Sequence, residues 1–287
     1  MKRVVGIGFI LFVLMSGIFV YQYSRFGDSK LHVVICDVGQ GDAIFLRTPG
    51  GSDIIVDGGP NDSVLSCLAG RMPFWDRDLE LVILTHPHAD HLDGLISVSK
   101  RYKILSFATE NLKNNTVRFK ALIDELKNQN IKMQYLYSGD RFVFKDGVSL
   151  DIVGPSKEFI RKTSPQGKIS DRNEFANIES LIKYKDFSVL LTGDSQAGQL
   201  NDAILSGRVG DIDVLQVPHH GSKTGLTLKI LDTLNPKLAI ISVGKNKYGH
   251  PTREMLEILK LKDIKVLRTD LDREIEIISD GSDWIAK

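Results

Sequence analysis

The chain has 287 residues, of which 42% are apolar and 25% charged, and its formal net charge is +1. This composition excludes a disordered chain, which would be less apolar, and a multi-span membrane protein, which would be far more apolar. It fits one large globular domain or two small ones. Because the net charge is near zero, a polyanionic partner would have to be held by locally gathered Lys and Arg side chains.

The chain begins with a membrane-length apolar segment. After Lys2 and Arg3, residues 4–24 carry no charge and are mainly apolar. As a helix, this segment is long enough to cross a hydrocarbon core of about 30 Å. The two cations before it favour a cytoplasmic N-terminus and an exported remainder.

A cleaved signal peptide is the alternative for this segment. Its apolar core would be shorter and would end in small residues, whereas here the sequence is Tyr21-Gln22-Tyr23-Ser24. We therefore expect residues 1–29 to form a retained anchor and residues 30–287 a folded domain. The protein would be a single-pass protein of the cell membrane with an extracytoplasmic domain, or a secreted domain if the segment is cleaved.

Short apolar runs separated by Gly and Pro predict strands, and apolar residues at helical spacing predict helices. The predicted strands are 31–38, 43–47, 53–56, 79–85, 131–137, 150–153, 181–184, 187–191, 214–217, 238–243, 264–267 and 275–278. The predicted helices are 119–129, 197–205, 226–234 and 252–261. Two packed β-sheets with helices outside, an α/β architecture, account most economically for this mixture.

The longest irregular stretch, 154–176, is rich in cations. They are Lys157, Arg161, Lys162, Lys168 and Arg172. Loops of this length are usually functional or disordered, so we expect either a lid over a site or a mobile surface insertion.

Cys36 and Cys67 are the only cysteines in the sequence. Two cysteines are too few to staple a small secreted domain, and their spacing is not that of a zinc-thiolate site. Both lie among apolar or small residues. We expect them to be buried thiols rather than a disulfide.

Three of the seven histidines and one aspartate occur within six positions, at His86, His88, Asp90 and His91. They directly follow a predicted buried strand, where a turn of the chain would let their side chains converge. Imidazoles and carboxylates that converge are typical ligands of metal ions, and this set divides naturally between two ions. A histidine-rich surface turn is the alternative, but it would be an unusual loop.

Three further places could complete such a centre, and Asp57 could support it. Asp194 follows the strand at 187–191, although alone it could cap the next helix. His219 and His220 are adjacent after the strand at 214–217, and a pair is more typical of ligands than a lone histidine. His250 could instead cap a helix, and Asp57 could orient a ligand histidine or occupy a plain turn.

Several motifs occur in the order typical of the metallo-β-lactamase superfamily, and the chain resembles the hydrolase domain at the end of ComEC-type competence proteins. The motifs are Asp37–Ala43, Thr85–Gly94, Leu191–Asp194, Pro218–Ser222, Tyr248–Pro251 and Arg268–Asp270. The resemblance implies an αββα sandwich of two mixed sheets, two divalent metal ions and hydrolase chemistry. It also implies a role in degrading one DNA strand during uptake, while similar phosphodiesterases act on phosphorylcholine esters.

The resemblance also implies roles for the candidate ligands. His86 and His88 would hold the first ion, Asp90 and His91 the second, and Asp194 would bridge both. We expect His219 to be the remaining ligand of the second ion and His220 to face the substrate, although a shift of one residue in register would exchange these two roles.

The first ion lacks a third histidine, because no histidine lies between His91 and His219. Many superfamily members supply one there. Water or Asn177 is expected in its place, and such an oxygen-richer set tolerates Mn²⁺ better than a strict Zn²⁺ site does. The two ions are therefore expected to be Zn²⁺ or Mn²⁺.

The resemblance favours cleavage of a phosphodiester, with single-stranded DNA as a candidate substrate. Asp90 would help to orient the attacking water, and His220 or His250 would give a proton to the leaving oxygen. Ser222 and Lys223 are expected near the substrate.

Two other functions stay open at this point. One is hydrolysis of esters, lactones or β-lactams on the same fold, and the other is a non-catalytic, membrane-tethered binding module. The retained candidate ligands argue against the binding module. Nothing in the sequence identifies a protein partner.

Overall fold

The N-terminal helix projects from the rest of the molecule. The computed structural model describes residues 2–168 and 176–287, and its first helix, α1, runs from Lys2 to Phe26. The side chains of residues 9–21 are all exposed. By length and composition the window Phe9–Phe26 could cross a membrane, a test that a signal sequence also passes.

The remaining elements are short strands and helices. The strands are β1 (Leu31–Ile35), β2 (Ile44–Arg47), β3 (Asp53–Val56), β4 (Asp78–Leu79), β5 (Leu81–Leu84), β6 (Lys103–Ile104), β7 (Phe107–Thr109), β8 (Met133–Tyr135), β9 (Arg141–Val143), β10 (Ser149–Gly154), β11 (Glu179–Tyr184), β12 (Phe187–Leu191), β13 (Val214–Gln216), β14 (Leu238–Ile241), β15 (Lys265–Arg268), β16 (Ile275–Ser279) and β17 (Trp284–Ala286). The helices are α2 (Ser63–Arg71), α3 (Ala89–Arg101), α4 (Val117–Asn128), α5 (Lys157–Thr163), α6 (Ala197–Leu205), α7 (Leu228–Leu234), α8 (Arg253–Leu261) and α9 (Thr269–Asp272), with a 3₁₀ turn at Pro218–Gly221.

The strands form two mixed sheets and one small pair. The first sheet has the order β17-β16-β1-β2-β3-β5-β7-β8, and the second has the order β15-β14-β13-β12-β11-β10-β9. In the first sheet β1, β2 and β3 are antiparallel neighbours, whereas β3, β5, β7 and β8 run parallel. In the second sheet β12 to β15 run parallel.

Apolar side chains fill three layers. Val33 of β1 and Val189 of β12 belong to the cluster between the two sheets. Val34 points to the other face of the first sheet and packs with residues of α2, α3 and α4. Leu190 likewise packs with residues of α6, α7 and α8 on the outer face of the second sheet. Strands buried on both faces explain the continuous apolar runs, and the predicted αββα sandwich is confirmed.

The strands that precede the candidate ligands end at the same edge of the molecule. Register pairs join the last residue of β1 to the first of β2, and Val56 at the end of β3 to Ile83 of β5. In the second sheet Leu190 pairs with Leu215, so β12 and β13 also end together. The opposite end of the sheets contains Leu31, which follows α1 after a short linker.

The expectation of two free thiols was wrong. Cys36 and Cys67 are bonded to each other, with Cα atoms 5.9 Å apart. Both are buried, as expected. The end of β1 packs against α2, a helix that the sequence patterns did not predict, and this packing joins cysteines that are 31 residues apart.

The cationic stretch 154–176 is not wholly irregular. Helix α5 forms within it and begins at Lys157, after Ser156, whose hydroxyl caps the helix by accepting a hydrogen bond from the Phe159 amide. Residues 169–175, including Arg172, lie outside the described residues. The expectation of a lid or a mobile insertion there stays a prediction.

Candidate metal centre

The first group of candidate ligands consists of His86, His88 and Asp194. His86 and His88 lie in the turn between β5 and α3, and Asp194 follows β12. One ligand atom from each residue lies within 4.8 Å of the others. The Nε2 atom of His86 is 3.7 Å from the Oδ2 atom of Asp194.

The second group consists of Asp90, His91, Asp194 and His220, again with ligand atoms within 4.8 Å of one another. Helix α3 begins at Ala89, so Asp90 and His91 lie in its first turn. The Oδ1 atom of Asp194 is 3.2 Å from His91 Nε2 and 3.3 Å from His220 Nε2. Asp194 therefore presents one carboxylate oxygen to each group, which is the geometry of a bridging ligand.

The structure brings His220, rather than the expected His219, into the second group. Both residues have left-handed backbone, with φ of 52° and 54°, which sends their adjacent side chains in different directions. His220 is buried in the second group. His219 Nε2 lies 3.8 Å from the Oδ2 atom of Asp194, the oxygen that faces the first group. Register along a strand could not predict this exchange, because the strand has already ended at Gln216.

The donor atoms of both groups fit metal ions. Among the described residues, the Nε2 atoms of His86, His91 and His220 and the Oδ1 atom of Asp194 are buried without a hydrogen-bond partner. Such atoms are rare in folded proteins and call for an explanation such as an ion. The other ring nitrogens are held, since His91 Nδ1 donates to Asp57 at 2.7 Å and His220 Nδ1 donates to the Ser242 carbonyl at 2.9 Å. That tautomer leaves Nε2 free to ligate.

Opposite charges in this cluster shift the pKa values of its members. Burial raises the pKa of Asp194, but His91 and His220 outweigh burial and hold that pKa well below its usual value. Burial lowers the pKa of His220, yet the carboxylates of Asp194 and Asp42 raise it to about 9. Burial and the neighbouring His91 lower the pKa of His86 well below its usual value. A bound cation would replace the proton on His220.

Asp57 lies behind the ligands and orients one of them. Its Oδ1 atom accepts from the Thr85 amide at 2.7 Å, and its Oδ2 atom accepts from the Thr85 hydroxyl at 2.6 Å and from His91 at 2.7 Å. Asp57 itself has a left-handed φ of 61°. These contacts match the orienting role considered for Asp57 rather than that of a plain turn carboxylate.

Asp42 is a site residue to which the sequence patterns assigned no role. It is buried, accepts a hydrogen bond from Gln216 Nε2 at 2.6 Å, and lies 3.6 Å from His220 Nδ1. Its position in the Gly39-Gln40-Gly41-Asp42 turn, directly after the first strand, was the available signal. The carboxylate helps to hold the His220 side of the centre.

The remaining predicted site residues lie around the centre. Asn177 Nδ2 donates to the Thr192 carbonyl at 2.5 Å and to the Ser195 hydroxyl at 3.1 Å, so it braces the loop that carries Asp194. The Ser222 hydroxyl bonds to that of Thr224 at 3.0 Å, and Lys223 is exposed. Neither Ser222 nor Lys223 lines the cleft above the centre.

That cleft has a volume of about 410 Å³ and includes His250. Its lining residues are mostly polar: Gln40, His88, Asp90, Asp194, His219, His220, Tyr248 and His250. A second cleft of about 440 Å³ also reaches His88, and cationic side chains line it: Lys113, Arg118 and Lys168. His88 thus lies where the two clefts meet.

Comparison with known proteins finds a family whose pattern matches part of the chain. The sequence pattern of the metallo-beta-lactamase superfamily matches residues 36–163, which include His86, His88, Asp90 and His91 but end before Asp194 and His220. Residues 36–163 thus match the metallo-β-lactamase superfamily, and the αββα sandwich is the fold of that superfamily. Together with the ligand groups, this match supports a metal-dependent hydrolase.

Similar proteins include competence proteins. The chain is 26% identical over 270 residues to ComE operon protein 3 of Bacillus subtilis, an alignment that covers 87% of this chain and 33% of that protein. It is 26% identical over 188 residues to exodeoxyribonuclease WalJ of Streptococcus pneumoniae, covering 60% of this chain and 69% of that one. The chain thus spans about a third of the length of the competence relative.

A solved structure supports the fold. Igni18, a metallo hydrolase from the archaeon Ignicoccus hospitalis, superposes with a TM-score of 0.54 at 14% identity, covering 89% of this chain and 98% of that one. At this level of identity the likeness concerns the fold.

Proposed function

We propose that this metallo-β-lactamase-fold hydrolase cleaves phosphodiesters, with single-stranded DNA as its substrate, on the extracytoplasmic side of a membrane. The observation that carries the proposal is the pair of ligand groups at the junction of two clefts, one of which is lined by cations. A strand lying through both clefts would place one phosphate at the ligand groups and its neighbours beside Lys113, Arg118 and Lys168.

We assign His86, His88 and Asp194 to the first of two divalent ions, with His219 on the same side of the carboxylate. Asp90, His91, Asp194 and His220 would hold the second. When bound, such ions activate water at neutral pH and neutralise charge on phosphoryl oxygens. Their identity as Zn²⁺ or Mn²⁺ stays a prediction.

Side chains of the cleft would then orient the attacking water and give a proton to the leaving oxygen. Asp90 lies at the edge of the cleft, where its partly exposed carboxylate could orient an attacking water. Since His220 belongs to a ligand group, proton donation to the leaving oxygen falls to His250 or His219, whose rings are 5.3 Å apart in the cleft.

Three findings favour a phosphodiester over an ester, lactone or β-lactam. Gln, His, Asp and Tyr side chains line the cleft above the ligand groups, with no aliphatic side chain among the described lining residues, whereas those substrates suit an apolar pocket. The adjoining cleft is cationic. Exodeoxyribonuclease WalJ is, by its name, a DNA-cleaving relative.

The disulfide supports the extracytoplasmic location. Disulfides persist in oxidising compartments and are rare in the cytosol. The Cys36–Cys67 bond lies in the domain that follows α1, so the domain would be on the side opposite a cytoplasmic N-terminus.

Cleavage assays on the full chain in detergent would test the proposal. After removal and replacement of metal with Mn²⁺ or Zn²⁺, the protein should cut labelled single-stranded DNA faster than duplex DNA. Lys113→Gln combined with Lys168→Gln should raise KM for a long strand more than for a chromogenic phosphodiester, because only the strand reaches the cationic cleft. Metal-loaded protein that turned over only lactones, thioesters or β-lactams would overturn it.

A further inference from the structure

We propose that the loop between α2 and β4, residues 72–77, inserts its aromatic side chains into the lipid bilayer beside α1 and seats the domain on the membrane. The proposal rests on α1 crossing that membrane. Phe74 and Trp75 at the tip of the loop are 57% and 41% exposed, although both are large apolar residues. Adjacent exposed aromatic side chains of this size indicate an interaction surface.

The contact between this aromatic surface and α1 indicates that lipid covers the surface. The Trp75 ring stacks on the Phe19 ring of α1 with centroids 4.7 Å apart, and the Phe74 ring packs edge-on against Trp75 at 4.9 Å. Phe19 lies within the span Phe9–Phe26. If that span is in the bilayer, a side chain stacked on Phe19 is in contact with lipid too. The surface is therefore continuous with the membrane-spanning helix.

The depth of this contact suits an interfacial loop. Phe19 lies seven residues before Phe26, the end of the span, which is about 10 Å along a helix axis. Peripheral elements insert their apolar faces to about 5–10 Å, so the tip would reach the boundary between headgroups and acyl chains. Trp and Phe are favourable at that depth because their rings bury apolar area with few flexible torsions.

Polar contacts hold the loop and the helix together. Arg25 Nη2 of α1 donates to the carbonyl of Gly70, two residues before the loop, at 3.1 Å. The guanidinium groups of Arg25 and Arg47 lie 5.0 Å and 5.9 Å from the Phe26 ring. The end of α1 is thus attached to the domain about 10 Å along the helix from the ring stacked on Trp75.

Two membrane contacts fix an orientation that one helix and a short linker could not. The loop and Leu31 lie at one end of the first sheet, and the ligand groups lie beyond Ile35 at the other end. β1 alone separates these ends by roughly 13 Å, at about 3.3 Å per residue. The bound loop would hold the catalytic cleft facing away from the bilayer, open to a strand arriving from the aqueous side.

Tryptophan quenching in vesicles tests the proposal, because the chain has only two Trp residues, Trp75 and Trp284. The full chain would be reconstituted into phosphatidylcholine vesicles with or without bromine on the upper part of the acyl chains. Wild type should lose much of its fluorescence in the brominated vesicles, and Trp75→Phe should abolish most of that loss. Trp284 packs against Phe187 in the domain, with ring centroids 5.9 Å apart, and should be quenched little.

A matched control uses an exposed aromatic at the opposite end of the sheet. Tyr135, 46% exposed at the end of β8, would be changed to Trp in the Trp75→Phe background and should escape the lipid quencher. Equal quenching of wild type and Trp75→Phe would overturn the proposal, as would failure of the full chain to remain with vesicles after an alkaline wash. Cleavage of a short soluble substrate should be unchanged in Trp75→Phe, so loss of quenching and loss of catalysis are separable.

Discussion

The two ends of the sheets differ in how far their charged and polar side chains are paired within the protein. At the ligand end, the described Nε2 atoms of His86, His91 and His220 and Oδ1 of Asp194 are buried without hydrogen-bond partners. They crowd together, and their pKa values move far from the usual ones.

At the opposite end, where Leu31 lies, charged side chains are paired by direct contacts. Arg47 Nη1 donates to both carboxylate oxygens of Asp53, at 2.9 and 3.1 Å. Arg71 donates to Glu274 at 2.5 Å and contacts Glu276 at 2.7 Å. These groups pair with one another within the protein, and among their side-chain atoms only Nε of Arg47 is buried without a hydrogen-bond partner in the described part of the chain.

The difference indicates that the ligand end serves binding, whereas the other end serves the stability of the fold. A buried polar atom without a partner costs about 1–3 kcal/mol, so a fold keeps a cluster of them only where something else binds. The ligand end gathers several unpartnered donor atoms that suit cations, whereas most charged groups at the other end are paired within the protein. Substitutions should therefore affect metal content and rate at one end, and stability at the other.

The largest effect is expected for Asp194→Ala. Because this carboxylate faces both groups, its removal should release both ions and lower the cleavage rate by about a thousandfold or more, since metal ions supply several kcal/mol of transition-state stabilisation. Elemental analysis and a phosphodiester assay measure both quantities. Retention of two ions per chain would show that Asp194 is not the bridge.

His220→Ala and His219→Ala form a matched pair. His220→Ala should lower the affinity of the second group for its metal ion by more than about a hundredfold, so that this ion is lost. That is a larger effect than the removal of a residue that only orients a ligand. His219→Ala should keep that ion, because its Nε2 faces the other carboxylate oxygen. Titration with Mn²⁺ or Zn²⁺ would count the sites. The opposite pattern would restore the expectation derived from the sequence.

Asp57→Asn tests the support behind the second group. Asn tolerates the left-handed backbone at this position but cannot accept from His91 and Thr85 as a charged group does. We expect metal affinity to fall by about 10–100-fold with the fold intact. Equilibrium dialysis would measure the affinity, and unchanged binding would make Asp57 a purely structural turn residue.

The smallest effect is expected for Glu276→Gln at the paired end. Burial raises the pKa of Glu276, but hydrogen bonds from His32 and Arg71 outweigh it and lower the pKa to about 2. Because the pKa of Glu276 is lowered in the folded state, the stabilisation is present above the ordinary glutamate pKa of 4.5 and is lost as the pH falls through about 2. The pKa of His32 is raised, because its contacts with Glu276 and Asp28 outweigh burial. The contribution of His32 to stability is therefore present below pH 6.5 and is lost as the pH rises through the raised pKa.

Glu276→Gln should therefore lower the free energy of unfolding by about 1–2 kcal/mol between pH 4.5 and pH 6.5. The loss should be smaller at lower and at higher pH. Thermal unfolding in detergent across this pH range would measure the difference. Glu274→Gln is the control, because Glu274 is more exposed and its loss should matter less. Metal content should stay at its wild-type value in both variants, and a loss would contradict the separation of the two ends.

Much of the fold could be predicted because its signals are local. Continuous apolar runs predicted β1, β3, β5 and β12, since these strands are buried on both faces. Helices α2 and α3 escaped prediction. α3 begins inside the histidine-rich turn, so its first residues are ligands rather than an apolar stripe.

The site could be predicted in composition but not in full geometry. Strand ends explain why His86, Asp90 and Asp194 converge, because adjacent strands end at one edge. Which of two neighbouring histidines reaches the second group depends on backbone angles beyond the strand end, which no periodicity reports.

By itself, the sequence determined the near-neutral charge, the apolar N-terminal segment, the alternation of strands and helices, and the residue types available as ligands, because each depends on neighbours along the chain. Only the tertiary structure decided the Cys36–Cys67 bond, the place of His220 and the stacking of Trp75 on Phe19. Each of these joins groups whose approach depends on how whole elements pack, and packing distances are not encoded in local patterns.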